Sequence, residues 1–367
     1  GGGNQRRRIC FLPPQGDGHR ALGGGAVRLG EEPGLRREMA SARVAARASE
    51  HHEEAGGGGG VRSGRAQRNP LGSQQFALND FQIKSELAHS STGNVYRAKH
   101  ARSGKSVVLK ARRCAEIGRE GSISHEVELL LGLDHPNVIR CFGSFWANAK
   151  FYMVLEYAAG GDLAALMSAA RKKREHLEEP QIWALFIPVV EVAAYLHARG
   201  VIHRDFKALN VFLTAEHQVK VGDFGVGRLL GPETKMVDTM LGTPLYLSPE
   251  LCQHKPYNHK TDVWSLGVLL YELCALAPPF NGRNLLELSQ LICSGKYAPV
   301  SSRYSKLLQR SVQSLLQVEP STRPGAEHFL LWYRAALVKL ATPQADSQPP
   351  RDERGGERVS ERGGERG

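Results

Sequence analysis

From Phe81 to Tyr157 the chain alternates apolar and polar residues in short runs. A period of two puts successive side chains on opposite faces, the mark of half-buried β-strands. The runs Phe81–Leu87, Asn94–His100 and Ser106–Arg112 carry it, with turns at Ser91–Gly93 and Ser103-Gly104 between them. Short turns between such runs predict a small antiparallel sheet. Two more strands are expected at Val138–Phe145 and Phe151–Tyr157, and HEVELLLGL at 125–133 has helical spacing. From Asp162 onward helices are expected over 162–173, 181–200, 260–276, 285–294 and 305–317. The expected fold class is α+β and bilobal: a small β-rich lobe with one main helix, then a larger, mainly helical lobe. A crevice between two lobes is the default place for a ligand.

The flanks have a different texture. Residues 1–78 are rich in Gly, Arg and Ala, with five glycines at 56–60 and no lysine before Lys84; residues 335–367 close on SERGGERG. Such segments bury too little apolar surface to offset their ordering entropy, so both are expected to be disordered. The domain plan is a tail over 1–78, a small lobe over 79–157, a large lobe over 158–334 and a tail over 335–367. The chain does not begin with Met, and Met39 is a candidate start.

Composition narrows the function classes. The 367 residues are 41% hydrophobic, enough for a sizeable core. No uninterrupted apolar run reaches about 18 residues and the N-terminus holds no continuous apolar stretch, so neither a membrane span nor a secretory signal is expected. The expected location is cytoplasmic, with cytoskeletal or nuclear placement left open. Six scattered cysteines without a CxxC pair read as reduced thiols rather than a zinc site or a disulfide framework. The net charge is +11, but residues 1–79 hold twelve Arg against seven acids, and the charge between the tails is interleaved in sign. No basic face with interleaved aromatics stands out, so no nucleic-acid partner is expected, and no membrane partner. Arg171-Lys172-Lys173-Arg174 reads as a solvated helix end.

The chemistry-bearing residues come in a fixed order. VVLK ends the third strand at Lys110, and Glu126 follows on the expected helix, where it could pair with that lysine and aim it at phosphate oxygens. HRDFKALN occupies 203–210. Asp205 could accept a proton from a hydroxyl, Lys207 could steady a transferred phosphoryl group, and Asn210 offers a neutral oxygen suited to a hard cation. The strand-like VKVG then runs into Asp223-Phe224-Gly225, where an Asp at a strand end can ligate Mg²⁺. LGTPLYLSPE at 241–250, DVWSLG at 262–267 and Arg323-Pro324 follow.

In this order and at these separations the sequence resembles the eukaryotic protein kinases over about Phe81 to Leu331. HRDxKxxN and GTPxY are similar to the serine/threonine branch. LDHPNVIR (133–140), VLEYAAGGDL (154–163), NVFL (210–213), GTPLYLSPE (242–250) and GKYAPVSSRYS (295–305) are similar to the never-in-mitosis-A-related (NEK) kinases. The resemblance implies a bilobal protein kinase fold that binds ATP and Mg²⁺. It assigns Lys110 to the phosphates with Glu126 as its ion-pair partner, Asp205 as catalytic base, and Asn210 and Asp223 as metal ligands. Leu155 becomes the gatekeeper and Glu156–Ala158 the hinge that meets adenine through its backbone. Val95 covers adenine from above and Phe212 supports it from below, while Asp162 meets the ribose. Leu87, Ala88, Ser90, Gly93 and Val108 complete the nucleotide site. Thr239 matches the activating phosphosite, whose phosphate would pair with Arg204, and Thr243 the contact to the substrate hydroxyl. Glu250 and Arg323 are implied as a buried structural pair. The implied partners are protein substrates with apolar residues upstream of the target, an upstream activating kinase, and proteins of microtubules, centrosomes or cilia. The C-terminal tail carries no heptads to suggest a coiled coil.

Two departures oppose this picture. The family's GxGxxGxV loop reads Ala88-His89-Ser90-Ser91-Thr92-Gly93-Asn94-Val95 here, so one glycine of three survives and Thr92 stands at the tip. Glycine lets backbone N–H groups approach phosphate without a Cβ in the way. Val108 stands where the family usually has Ala against adenine. The competing reading is a pseudokinase, a scaffold or allosteric regulator with weakened ATP binding.

Overall fold

The structure is a computed structural model that describes residues 76–90, 93–113, 128, 130–223 and 244–341. The chain forms two compact units: the described residues up to Asp134 with Ile139–Gly161, and His135–Val138 with the described residues from Asp162 on.

The first unit is a five-stranded antiparallel sheet, β1 (Phe81–Ser90), β2 (Gly93–His100), β3 (Ser106–Arg113), β4 (Cys141–Ala147) and β5 (Lys150–Glu156), in the order β1-β2-β3-β5-β4. Alternation decides its two faces. Val107, Leu109 and Ala111 of β3 are buried with Ala98, Tyr152 and Val154, while Val108 and Lys110 between them lie half-buried on the other face. Three rings stack through this core: Phe81 on Phe145 at 5.8 Å, and Phe145 on Tyr152 at 5.0 Å. Phe76 joins them, 5.6 Å from Phe81. Its ring lies against Gly143, where a Cβ would come within 2.8 Å of it. The expected N-terminal tail over 1–78 is therefore corrected at its end: Phe76 is core, and a 3₁₀ turn over Leu78–Asp80 leads into β1.

The strand expected at Val138–Phe145 is split. Val138 makes a parallel bridge to Val221, the Asn137 amide donates to Val219 O at 2.8 Å, and the ladder strand begins only at Cys141. The Pro136-Asn137 turn takes its hydrogen bonds from the second unit, and a period-two pattern does not say which strand its residues will pair with. Of the helix expected at 125–133, Glu128 and Leu130–Gly132 are described and helical.

The second unit holds α1 (Leu163–Lys173), α2 (Glu179–His197), the hairpin β6 (Val211–Leu213) and β7 (Val219–Val221), α3 (Pro249–Cys252), α4 (Lys260–Ala275), α5 (Leu285–Ser294), α6 (Lys306–Leu315) and α7 (Ala326–Ala341). Side-chain caps set several starts: Asp162 on Ala165 N, Asn284 on Glu287 N and Ser305 on Leu308 N. α2 is long and apolar enough by composition to cross a bilayer. Ile182, Phe186, Val190, Val192 and Leu196 are fully buried, so the core accounts for its apolar character. α4 is buried from Thr261 to Cys274. α7 runs to Ala341, past the expected domain end at 334; Phe329 and Leu330 are buried and Tyr333 packs on Trp183 at 4.7 Å, while Leu337 and Val338 beyond them are exposed.

The implied pair of Glu250 and Arg323 is present. Both guanidinium nitrogens meet the carboxylate at 2.8 Å. The remaining donors of Arg323 go to the carbonyls of Gln317, Lys260 and Val318, and Thr261 donates to Glu250. Burial would raise the Glu250 pKa, but the Arg323 contacts outweigh it and hold it below the ordinary carboxylate value. Removing one member leaves a buried, uncompensated charge. Arg323→Ala is expected to destabilise the fold by about 3–5 kcal/mol, read as the shift in urea unfolding free energy; a change near zero would mean the pair is replaceable by solvent.

Candidate active site

In the sheet unit, register gathers the expected nucleotide residues. Ala88 pairs with Val95, and Val95 with Lys110; Val108 pairs with Leu155. Directly opposed residues share a face, so these five line the half-buried face, away from the aromatic core. Leu87 falls at a bulge between Glu86 and Ala88, which re-aims its side chain. Ser90 is placed by backbone pairing with Gly93, and its side chain lies outside the described residues. Gly93 has a reason to be glycine that sequence alone did not suggest. A Cβ there would sit 2.0 Å from the Ala111 carbonyl oxygen, so the neighbouring strand demands it independently of any phosphate. In the hinge, the Glu156 N–H donates to Arg140 O at 2.9 Å, and the Glu156 carboxylate accepts from Arg140 N at 3.1 Å. That N–H is therefore not available to adenine. Ala158 is buried.

In the helical unit, Asp205 is clamped from two sides. Lys207 Nζ lies 3.0 and 2.7 Å from its two carboxylate oxygens, and the Asn210 amide donates at 2.8 Å to both Oδ2 and the Asp205 carbonyl. With its amide hydrogens on Asp205, Asn210 keeps its Oδ1 as the end able to ligate a cation. The Gly222 N–H donates to Asn210 O at 3.0 Å, which ties the backbone beside Asp223 to Asn210. Asp223 is exposed, with φ +55°. Phe212 lies on β6 and bridges Asp162. Asp162 is buried and accepts from Ala165 N at 2.7 Å; burial raises its pKa, partly offset by hydrogen bonds from Ala165 and Ala164. A ribose contact would have to use the other carboxylate oxygen.

The stretch around Asp205 is held by residues whose roles the sequence did not disclose. Asp262 of α4 is fully buried. It accepts from His203 N at 2.9 Å, Arg204 N at 2.8 Å and His197 Nε2 at 2.8 Å. These bonds hold Arg204 at φ +64°, a conformation disfavoured for a residue with a side chain. His203 stacks on Phe206 at 4.2 Å. Burial lowers the His203 pKa, against the opposing pull of Asp262, Asp205 and Asp223. On the far side of Asp205 the Ala208 N–H donates to the Tyr246 hydroxyl at 3.1 Å, and Tyr246 donates to Glu272. Burial pushes Glu272 up to about 7, against the Tyr246 hydrogen bond and the Arg171 charge. The available signal was an acid inside otherwise apolar helix: Asp262 and Glu272 both sit in KTDVWSLGVLLYELCA. Arg204 also lies over the Tyr257 ring at 5.1 Å.

The donor set suits Mg²⁺. Asn210 and Asp223 supply hard oxygen atoms, and among the described residues no group of three or more His, Cys, Asp or Glu could hold a metal by itself. Mg²⁺ is commonly held by one or two side chains with phosphate and water completing the shell. Glu126, Thr239 and Thr243 lie outside the described residues.

Residues 81–331 match the protein kinase domain, and the chain belongs to the protein kinase family. It is 38% identical over 272 residues to human serine/threonine-protein kinase Nek5, covering 73% of this chain and 38% of that one. It is 36% identical to mouse Nek1 over 264 residues (71% of this chain, 22% of that one) and to mouse Nek2 over 263 (69% and 59%). The chain thus spans less than two thirds of the length of these relatives.

Glu272 yields a pH prediction. Its folded value lies above the ordinary 4.5, so the folded protein binds this proton more tightly than the unfolded chain. The contribution is full below about pH 4.5 and is lost as pH rises through about 7. Glu272→Gln keeps an acceptor for Tyr246 without the charge. Its urea unfolding free energy should gain on the wild type between about pH 5.5 and about pH 8, at most on the order of 1 kcal/mol per pH unit. Parallel pH profiles would show that Glu272 does not titrate in this range.

Proposed function

We propose that this chain is a serine/threonine protein kinase that transfers the γ-phosphoryl group of ATP to protein hydroxyls. The observation that carries the reading is the clamp on Asp205 by Lys207 and Asn210. A carboxylate held in this way accepts the proton of a substrate Ser or Thr hydroxyl as the oxygen attacks phosphorus. Lys207, already between the two carboxylate oxygens, steadies the transferred group. Asn210 and Asp223 would hold Mg²⁺, which when bound offsets charge on the phosphate oxygens. Lys110 would bind the phosphates with Glu126 as its partner, and Leu155 through Ala158 with Val95 and Val108 would meet adenine. Leu209, exposed beside Asn210, is an apolar neighbour for substrate rather than an acid that would select arginine.

Regulation follows the same chemistry. A phosphate on Thr239 would pair with Arg204, and Thr243 would contact the substrate hydroxyl. The relatives' names support an activity of the Nek kind; an upstream activating kinase and partners on microtubules, centrosomes or cilia belong to this proposal.

The experiment incubates purified protein with labelled ATP, Mg²⁺ and a Ser/Thr peptide library, beside Asp223→Ala and Asp205→Asn controls. The activated wild type should turn over at about 1–100 s⁻¹, with each control down by at least about a hundredfold. Mapping of the active protein should find phosphate on Thr239. Labelling equal to the controls would favour the pseudokinase scaffold. Restoring glycine at Ala88 and Ser90 together tests the loop: the KM for ATP is expected to fall several-fold with kcat kept, and an unchanged or higher KM would show that these side chains never limited binding.

A further inference from the structure

Away from the Asp205 clamp, two thiols meet where α3 packs on α5. Cys252 ends α3 and Cys293 lies next to the last residue of α5. Both are half-buried, whereas Cys141 and Cys274 are buried. The Cys293 thiol points at the Pro249 carbonyl oxygen, 3.9 Å away, which sets it against the single turn of α3. Cys252 lies near enough to Cys293 and Ser289 of α5 for both to act on its thiol. Neighbouring thiols on two packed short helices are the arrangement from which a disulfide can form. The pair is far apart in sequence and belongs to no CxxC motif.

We propose that Cys252 and Cys293 are a reversible oxidation site that closes to a disulfide in the presence of peroxide and staples α3 to α5. Hydrogen peroxide is the oxidant. The Cys293 thiolate attacks one peroxide oxygen, the O–O bond breaks, and sulfenic acid forms while hydroxide leaves and takes up a proton as water. Cys252 sulfur then attacks the sulfenic sulfur. The S–S bond forms, the S–O bond breaks, and hydroxide departs with the Cys252 proton as a second water. Two thiols and one peroxide thus give one disulfide and two waters, with two electrons passing from sulfur to oxygen. The order of attack follows from environment. Burial pushes the Cys252 thiol up to about 11, so it remains protonated at neutral pH and serves as the resolving partner.

The bond would act on a segment that matters. α3 carries Glu250, and Cys252 lies two residues beyond it. Closing the loop between the two cysteines would constrain the unfolded chain and hold α3 from its α5 side, as Arg323 already holds it through Glu250.

The full chain is treated with hydrogen peroxide, quenched, digested without reduction and mapped by mass spectrometry. A peptide joining Cys252 to Cys293, about 2 Da lighter than the two free peptides together and released by dithiothreitol, is expected. Oxidation should also raise the wild-type melting temperature by about 5 °C or more, with no rise in Cys252→Ser or Cys293→Ser. Serine at 293 can still donate to Pro249 O, so that variant is expected to fold; if it does not, the wild-type peptide map decides alone. Oxidation that stops at sulfinic acid on either cysteine, or joins them to other cysteines as often as to each other, would overturn the proposal.

Discussion

The buried carboxylate of Asp262 is what the stretch leading into Asp205 hangs from. Its two oxygens take up the backbone N–H groups of His203 and Arg204 and the ring of His197. A buried carboxylate must find such donors or stay out of the core. Its need for them holds Arg204 in a left-handed conformation that a residue with a side chain avoids. Asp205 follows immediately and inherits its direction. The strain is local, and its restraint comes from α4, deep in the helical unit.

Around this anchor the protein uses buried charge twice more, with opposite outcomes. Glu250 meets a guanidinium whose donors are all engaged, and it is held ionised. Glu272 meets a tyrosine hydroxyl and feels the Arg171 charge, and burial prevails. The difference lies in the partner: a fork of charged donors compensates desolvation, and one neutral hydroxyl does not. Both residues bear on the stretch after Thr243, Glu250 from α3 and Glu272 through Tyr246.

Most of the architecture was legible because its signals are local. Alternation located all five strands of the sheet, and helical spacing with end signals located α1, α2, α4, α5 and α6 to within a few residues. Errors came where a segment's partner lay elsewhere in the chain. Val138 pairs with Val221 rather than extending β4, and Phe76 is ordered by its tilted contact with the Phe81 ring and by the space Gly143 leaves for it. α7 is held to α2 where Tyr333 meets Trp183. The motif residues Asp205, Lys207, Asn210 and Asp223 could be named from spacing. Asp262, Tyr246 and Glu272 could not be given roles, since each acts through a residue tens of positions away.

The sequence by itself determined the periodicities, the order of chemistry-bearing residues and hence the kinase family, because these depend on neighbours within one turn or one strand. Only the tertiary structure decided which donors each carboxylate receives, and so which acid is held charged and which is pushed up. It also decided why Gly93 must be glycine: the carbonyl of Ala111 on the adjacent strand occupies the space a side chain would need. Desolvation and close approach depend on what the rest of the chain brings to a position, and no local pattern encodes that.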